Sequence, residues 1–317
     1  MLRVFETFAG YGGASFGLRR SGIPFKVVGQ SDINKDANKL LAANFPDIRN
    51  YGDITKLNPE ELPDFDLFTG GFPCQPFSLI GDQEGERDRY GRGTLFADII
   101  YVCSVKKPKY VLLENVKGFL SRKFEETFNL IKDAFKELGY GDIAYGLMNS
   151  KDYGIPQNRE RVWIFARLGG LPEGFSIVPS KCPSSLRFKD LLDEHPDPSL
   201  YLSDERIQYI KEKYRLGNQL QVTEAANLDL YNRKVRTDGL SGTILEEHNV
   251  FYVVEPPRDG REIVRRMSAD ERFRFMGFRD GELDYAGLTP NQLWNRAGNG
   301  WDVNFVGILL KHIFSQL

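Results

Sequence analysis

Between residues 3 and 168, short apolar runs of strand length alternate with stretches of helical periodicity. The candidate strands are RVFETF (3–8), KVVGQSD (26–32), DLFTGG (66–71), KYVLLENV (109–116), IAYGLMNS (143–150) and RVWIFARL (161–168). The clearest helix is predicted over 123–138, where apolar residues recur at helical spacing and Gly139 supplies a C-cap. Strands that alternate with helices predict an α/β protein with an open, mostly parallel sheet.

The pattern changes after this region. The stretch LGGLPEGFSIVPSKCPSS (168–185) is rich in Gly, Pro and Ser, which is typical of a linker that leaves a sheet. Residues 176–262 then show weak periodicity with polar and basic segments, and helical patterning returns over 263–317. In the final predicted helix, one apolar face is formed by Val303, Val306, Leu310 and Ile313.

Composition excludes several classes of protein. With 317 residues, 41% hydrophobic and 27% charged, the chain is typical of a globular protein with its own core. No apolar run approaches the ~20 residues that cross a bilayer. Because MLRVFETFAGYGG at the N-terminus also lacks a signal-peptide core, we expect a cytoplasmic location. The net charge of −2 gives no global support to nucleic-acid binding, which therefore requires a local basic surface.

The three cysteines, Cys74, Cys103 and Cys182, form no CxxC pair, and the histidines are scattered. We therefore expect free thiols and no metal site. Cys74 is unusual because it stands between two prolines in GFPCQPFS (71–78), where a regular helix or a central strand is disfavoured. A loop made rigid in this way presents a sulfur atom instead of packing it in a core.

A glycine-rich turn, FAGYGG (8–13), joins the first predicted strand to a helix. Glycines at such a turn let a ligand approach the backbone at the carboxyl edge of the sheet. Asp32 follows the second strand, where an acid typically accepts ribose hydroxyls, and Asp53 lies after the next helix, where a carboxylate can reach an adenine edge. Together they predict a nucleoside cofactor. Ser15 replaces the third glycine of GxGxxG, which disfavours NAD and leaves S-adenosylmethionine.

Chemically active side chains also fall at strand ends. Cys74 lies just beyond the third predicted strand and Glu114 ends the fourth, while Arg159 and Arg161 open the strand that begins at 161. Taken alone, a cysteine is usually a small buried hydrophobic residue. A glutamate at a strand end is usually solvated at the rim of the sheet, and an RxR pair usually lies on the surface. Their common position around one predicted cofactor loop favours a single active site.

A thiol, a carboxyl group and an arginine beside a methyl donor fit methylation of cytosine at carbon 5. That carbon is a poor nucleophile until a thiolate adds at carbon 6 and converts the ring to an enamine. A protonated carboxyl group hydrogen-bonded at ring nitrogen 3 stabilises the adduct, and an arginine holds the ring carbonyl and favours the thiolate.

The ordered motifs of the chain closely resemble those of the DNA cytosine-5 methyltransferases of bacterial and phage restriction–modification systems. The matching segments are FAGYGG, GFPCQPFS, GRGTLFADI (91–99), ENV, QNRERV, RRMSADERFRFMGF (265–278) and AGNG. The resemblance implies an S-adenosylmethionine-dependent, Rossmann-like open sheet with a small, irregular target-recognition domain. It also implies a discontinuous catalytic domain of 1–175 and 263–317, with target recognition in 176–262.

The resemblance also implies roles for individual residues. The catalytic set would be Cys74 as nucleophile, Glu114 at the base edge, Arg161 at the cytosine carbonyl and Arg159 in support. The cofactor pocket would be formed by Phe8, Gly10, Tyr11, Gly12, Gly13, Asp32, Ile33, Asp53, Ile54, Pro73, Leu95 and Asn299. Three departures from the family pattern stand out, namely Glu6 for the usual Asp, Ile33 for a frequent aromatic residue, and Gly300-Trp301 for Ser-Val.

The implied substrate is double-stranded DNA with the target cytosine rotated out of the helix. The segment 79–95 follows Cys74 and carries Arg87, Arg89 and Arg92, which are predicted to contact phosphates as a closing loop. In the recognition region the predicted contacts are Arg233, Lys234, Arg236 and Thr243, the last near the pocket of the flipped base. A monomer is expected, with a restriction endonuclease that acts on the same site without stable association.

Three alternatives remain open from the sequence alone. An RNA cytosine-5 methyltransferase shares the chemistry, and the long recognition region favours DNA. An NAD-dependent oxidoreductase needs the missing third glycine and gives Cys74 and Glu114 no role. A catalytically silent, sequence-specific DNA-binding protein would not need an intact nucleophile motif.

Overall fold

The computed structural model describes residues 1–73, 95–246 and 251–317. The chain divides into two compact units. The first comprises Met1–Met148, Glu160–Ser180 and Val306–Leu317, and the second comprises Asn149–Arg159 and Lys181–Phe305.

A six-stranded sheet forms the centre of the first unit. Its strands are Leu2–Thr7 (β1), Phe25–Ser31 (β2), Leu67–Gly71 (β3), Tyr110–Val116 (β4), Ala144–Asn149 (β5) and Glu160–Arg167 (β6), in the order β2-β1-β3-β4-β6-β5. β1 runs parallel to β2 and β3, and β3 runs parallel to β4. The predicted open, mostly parallel α/β sheet is therefore confirmed, and each predicted strand end lies at or next to the observed one.

β6 departs from the parallel pattern, because it is antiparallel to β4. Its first residues therefore lie at the same edge of the sheet as the last residues of β4, with Arg161 opposite Val116. A parallel β6 would have put these ends on opposite edges. This one reversal decides which side chains meet at the site described below.

Eight helices are present in the described residues: Gly13–Ser21 (α1), Lys35–Asn44 (α2), Leu95–Lys106 (α3), Glu125–Glu137 (α4), Asp204–Lys213 (α5), Ala269–Phe275 (α6), Pro290–Asn299 (α7) and Val303–Phe314 (α8). None of them is long and apolar enough to cross a membrane. The predicted helix over 123–138 is α4, and Gly139 follows it with a φ of 90°, in the left-handed region that favours glycine.

The core of the first unit is aromatic and aliphatic. Phe5, Phe68 and Leu113 are fully buried on neighbouring strands, and Phe5 and Phe68 stack with ring centroids 6.4 Å apart. Helix α1 meets α8 at Gly17, where an added Cβ would lie 2.3 Å from Val306 Cγ1. This close approach requires glycine.

A four-stranded antiparallel sheet lies in the second unit. Its strands are Ala226–Asp229 (β7), Lys234–Arg236 (β8), Phe251–Arg258 (β9) and Arg261–Arg266 (β10), in the order β10-β9-β7-β8. Helix α5 packs Ile207 and Ile210 into the same apolar cluster as Leu228 and Val254. The sequence pattern was weak here because β7 and β8 are too short to show alternation. β10 runs across residues 262 and 263, the predicted boundary between the recognition region and the second catalytic segment.

A buried ion network joins β9, β10 and α6. Arg265, 1% exposed at its side chain, binds both carboxylate oxygens of Glu271 at 2.8 Å and Glu255 Oε1 at 2.7 Å. Glu271 Oε2 also accepts from the backbone N–H of Ser268, and the Ser268 hydroxyl accepts from the backbone N–H of Glu271. These two hydrogen bonds form a capping box at the start of α6. The motif RRMSADERF thus folds as a strand tied to the start of a helix.

Candidate active site

The glycine-rich turn follows β1 and adopts left-handed backbone conformations. Phe8, Gly10 and Gly12 have φ values of 50°, 58° and 89°, and Gly12 is the N-cap of α1. A Cβ on Gly12 would lie 2.4 Å from Phe45 Cε2, whereas a Cβ on Gly10 would meet nothing within 4 Å among the described residues. Tyr11 is fully buried. The turn therefore has open space beside Gly10 at the carboxyl end of β1.

Asp32 holds this turn from the end of β2. Its Oδ2 accepts from the backbone N–H of Gly10 at 2.8 Å, and its Oδ1 accepts from Asn34 N at 2.8 Å. The side chain is half-buried, and each carboxylate oxygen has a second lone pair. Ile33 beside it is 71% exposed. Asp32 therefore braces the turn, and its predicted contact with ribose hydroxyls stays a prediction.

Asp53 and Ile54 have clear structural roles. Asp53 Oδ1 accepts from Thr55 N at 3.0 Å and caps a short 3-10 helix, Ile54–Lys56. Ile54 is buried in the main core of the first unit, with Phe5 and Leu57. Their predicted contacts with adenine remain predictions.

Glu6 is buried behind the turn and anchors the start of α1. Its Oε1 accepts from Ala14 N at 2.8 Å, and its Oε2 accepts from the Ser15 hydroxyl at 2.5 Å. Burial raises the pKa of Glu6 to about 7, and the hydrogen bonds from Ser15 and Ala14 oppose that rise. The longer Glu side chain in place of Asp therefore reaches two donors on the helix.

Glu114 and Arg161 form an ion pair at the carboxyl edge of the sheet, with Arg161 Nε 2.9 Å from Glu114 Oε1. The two positions are diagonal neighbours on one face of the β4–β6 ladder, within reach of long side chains. Both side chains are largely buried, at 12% and 15% exposure. Burial lowers the pKa of Arg161, and the charge of Glu114 opposes that shift. The structure thus brings together two of the predicted catalytic residues.

The segment that leads to Cys74 leaves the sheet beside this pair. Gly71, the last residue of β3, stands opposite Glu114 in the parallel ladder. Asn115, 2% exposed, donates through Nδ2 to the Phe72 carbonyl at 3.1 Å. Pro73 is exposed. The predicted residues Cys74, Arg87, Arg89 and Arg92 lie outside the described residues.

Asn115 is a residue that the sequence interpretation missed. It is a buried amide in the apolar strand YVLLENV, and its Oδ1 also accepts from Val116 N at 2.8 Å. The available signal was an amide directly after Glu114 near the end of a largely apolar strand, because a buried amide must find partners. We infer that Asn115 fixes the backbone at Phe72.

Arg159 lies in the second unit and is 4% exposed. It donates to the carbonyl groups of Ile244 at 3.0 Å, Gly298 at 3.2 Å and Gly300 at 2.8 Å. Thr243 donates through its hydroxyl to the Asn158 carbonyl at 2.8 Å. Three predicted site residues, Arg159, Thr243 and Asn299, therefore belong to segments that are tied to one another.

The residues of the recognition region that are predicted to contact DNA differ in exposure and in ion pairing. Arg233 and Lys234 are exposed at the turn between β7 and β8, where Arg233 has a φ of 54°. Arg236 has a side chain only 9% exposed and binds Asp238 at 2.6 Å. Arg233 and Lys234 are therefore better placed than Arg236 to meet a phosphate.

Two further residues of the predicted cofactor pocket differ in exposure. Leu95, the first residue of α3, is half-buried and Asn299 is exposed.

The residues around the turn fit an adenosyl cofactor. A half-buried carboxylate, a glycine turn and open space beside Gly10 lie at the carboxyl edge of a parallel sheet, where such ligands bind. Within the described part of the chain, no group of three or more His, Cys, Asp or Glu residues is arranged to hold a metal ion.

Comparison with known proteins identifies the family. The profile of the family described as C-5 cytosine-specific DNA methylase matches residues 2–315. The type II methyltransferase M2.ScrFI of Lactococcus lactis subsp. cremoris is 30% identical over an alignment of 379 residues that covers 100% of both chains. The type II methyltransferase M.SsoII of Shigella sonnei is 38% identical, over 99% of this chain and 80% of its own.

Solved structures of similar proteins have the same fold as this chain. A mutant of DNMT2 from Spodoptera frugiperda superposes with a TM-score of 0.77 at 20% identity, over 99% of this chain and 100% of its own. The Dnmt2 methyltransferase of S. pombe gives a TM-score of 0.74 at 24% identity, over 99% of both chains. With a family profile that spans nearly its whole length, this chain belongs to the C-5 cytosine-specific DNA methylase family.

Proposed function

We propose that this methyltransferase, which transfers a methyl group from S-adenosylmethionine to cytosine in DNA, acts through a transient covalent bond between Cys74 and carbon 6 of a flipped-out cytosine. The observation that supports this most directly is the Glu114–Arg161 ion pair, which lies where β3 ends shortly before Cys74 in the sequence.

The chemistry follows from the electronic structure of cytosine. The Cys74 thiolate forms a bond to carbon 6, and the ring electrons move toward carbon 5, which then attacks the methyl group. The bound cofactor supplies that methyl group on a positively charged sulfur, which departs as a neutral thioether. Loss of the proton from carbon 5 then expels the thiolate and restores the aromatic ring.

Glu114 and Arg161 stabilise the adduct in this proposal. A protonated Glu114 donates to ring nitrogen 3, where negative charge develops. Arg161 orients the carboxyl group through Nε and donates through Nη1 to the Glu160 carbonyl at 2.8 Å. No hydrogen bond within the described residues uses Nη2, which is therefore the donor for the cytosine carbonyl oxygen.

The proposal extends to the substrate and the organisation of the chain. A cytosine stacked in a duplex hides carbon 6, so the base must leave the helix. Residues 1–175 and 263–317 would supply the catalytic domain, and 176–262 would supply target recognition, with exposed Arg233 and Lys234 toward DNA. We further propose a cytoplasmic monomer, with a restriction endonuclease that cuts the same site without stable association.

The first test is incubation with labelled S-adenosylmethionine and mixed-sequence DNA, followed by mapping of 5-methylcytosine. We expect methylation at one short sequence, loss of methylation in Cys74→Ser, and retained cofactor binding in that variant. Cys182→Ser is the matched control, because Cys182 is an exposed free thiol. Full turnover by Cys74→Ser, or a methyl group on an exocyclic nitrogen, would contradict the mechanism. Equal transfer to RNA of the same sequence would contradict the DNA substrate.

A further inference from the structure

The β7–β8 turn, residues 230–233, presents an exposed aromatic side chain. Tyr231 is 75% exposed, and its ring has no aromatic or cationic partner within the part of the chain that the structure describes. Tyr209, on α5 of the same unit, differs because Arg206 and Lys213 lie over its ring at 5.0 and 5.4 Å. The ring and the hydroxyl group of Tyr231 are therefore available for contact with another molecule.

Hydrogen bonds and packing hold the β7–β8 turn in one conformation. The buried carboxylate of Asp229 accepts from Asn232 N at 3.0 Å and from Asn232 Nδ2 at 2.7 Å. Arg233 N donates to the Leu230 carbonyl at 3.3 Å, and the Leu230 side chain packs in the apolar cluster of the second unit. A side chain presented by such a fixed turn loses little conformational freedom when it binds, which favours specific contact.

The charge beside Tyr231 is positive. Arg233 and Lys234 are exposed, and neither pairs with a carboxylate among the described residues, whereas Arg236 on the same strand binds Asp238. Two unpaired cations next to an open aromatic ring match a polyanion whose interior carries flat bases and hydrogen-bonding edges. This charge selects a nucleic acid as the partner of the turn.

The form of the β7–β8 hairpin selects a groove of the duplex. β8 is an edge strand, and its central residue, Val235, donates its N–H to Gln219 Oε1 at 3.0 Å. Because a side chain covers this edge, addition of a partner strand is disfavoured, and the turn itself is the part that can bind. The major groove, about 12 Å wide, admits a two-stranded ribbon, whereas the minor groove, about 6 Å wide, does not.

We propose that the β7–β8 turn enters the major groove of the target duplex, where Tyr231 reads one base pair and Arg233 and Lys234 bind the flanking phosphates. Tyr231 is then a specificity-determining residue. Its ring gives an apolar surface for a thymine methyl group, and its hydroxyl donates to or accepts from a base edge. The proposal rests on the proposed function, which makes double-stranded DNA the substrate and directs Arg233 and Lys234 toward it.

The test measures sequence discrimination in binding. The full chain, with S-adenosylhomocysteine in place of the methyl donor, is titrated with the duplex identified by methylation mapping. It is also titrated with duplexes in which each base pair except the target pair is inverted in turn. Inversion changes the pattern of donors and acceptors in the major groove but hardly alters it in the minor groove.

We expect Tyr231→Ala to lose about 5-fold or more of the discrimination at one base pair and to keep the discrimination at the others. Tyr209→Ala is the matched control, because Tyr209 is an exposed tyrosine of the same unit whose ring is already covered by cations. Arg233→Gln and Lys234→Gln should weaken binding to every duplex by a similar factor. Each should also reduce the slope of log affinity against log salt by about 1.

Each outcome decides the proposal. Unchanged discrimination in Tyr231→Ala, or an equal loss of affinity on every duplex, overturns the role of Tyr231 while methylation at the mapped sequence leaves the proposed function intact. A wild type that methylates no DNA overturns both. If Tyr231→Ala does not fold, photocrosslinking of the wild type decides. Iodine on carbon 5 of thymine or non-target cytosine positions projects into the major groove, so it must join the duplex to Tyr231, and absence of this link overturns the proposal.

Discussion

Glu6 is a buried acid at the foot of the cofactor turn, and its ionisation links the stability of that turn to pH. In the folded chain its pKa is about 7, whereas the ordinary value is 4.5, which we take for the unfolded chain. The folded state therefore binds the proton more tightly than the unfolded state does. The stabilisation is fully present below pH 4.5 and is lost as pH rises through 7.

We predict that the free energy of unfolding falls by about 3 kcal/mol more in wild type than in Glu6→Gln between pH 4.5 and 7.5. Gln keeps an acceptor for Ala14 N and a polar group for Ser15 but does not titrate. Urea unfolding at a series of pH values measures the difference. Parallel pH profiles for the two proteins would show that Glu6 is not the titrating group.

Glu114 is predicted to act in catalysis and not only in an ion pair. Glu114→Gln removes the acid that serves ring nitrogen 3, so we expect kcat to fall by about 10²–10⁴-fold with cofactor affinity unchanged. Glu160→Gln is the control, because the Glu160 side chain pairs with Lys117, at the start of the 3-10 helix that follows β4, and has no assigned role. Similar kcat values for the two variants would contradict the assignment.

The meeting of two reactive side chains at one edge of the sheet was predictable from sequence, because their residue types stand at strand ends. Glu114 and Arg161 were expected together, and they form an ion pair. Other details were not predictable. Asp53 caps a short helix and Ile54 packs in the core, and neither contact leaves a periodic pattern in the sequence.

At the scale of elements, β4 anchors the backbone of the residue that follows β3. The Asn115 amide is the link, because it binds the Phe72 carbonyl at the point where the strand ends. We predict that Asn115→Ala destabilises the protein by about 1–3 kcal/mol, since it leaves buried backbone groups without their partner. Methyl transfer should fall more than cofactor affinity, because the segment before Cys74 loses its anchor.

Urea unfolding and steady-state kinetics measure both effects. Asn129→Ala is the control, because Asn129 accepts only an exposed hydrogen bond from Lys132 among the described contacts. Unchanged stability and unchanged kcat in Asn115→Ala would contradict the role of Asn115 as an anchor for the segment before Cys74.

The Arg265 network is the corresponding link in the second unit. Arg265→Met leaves Glu255 and Glu271 buried without their shared cation, and we expect a loss of about 3–5 kcal/mol in the free energy of unfolding. Arg258→Met removes an exposed partner of the same Glu255 and should cost less than about 1 kcal/mol. Chemical denaturation compares the two, and equal losses would contradict the role of burial.

Elements were predictable where they are long and apolar. The sheet of the first unit and α4 follow from the sequence pattern, most clearly at β4 and β6, which each contain a continuous buried apolar run. The antiparallel direction of β6 was not predictable, since strand direction depends on the path of the chain and not on local pattern. The short strands β7 and β8 also gave no signal.

At the scale of the whole molecule, the central claim is that sulfur from Cys74 bonds to the target base. The most direct measurement uses duplex DNA with 5-fluorocytosine at the mapped target, because fluorine on carbon 5 prevents the proton loss that releases the enzyme. In the presence of S-adenosylmethionine we predict a stable protein–DNA conjugate, with the modified peptide carrying the base on Cys74. No conjugate from active enzyme, or a conjugate through another residue, would contradict the account.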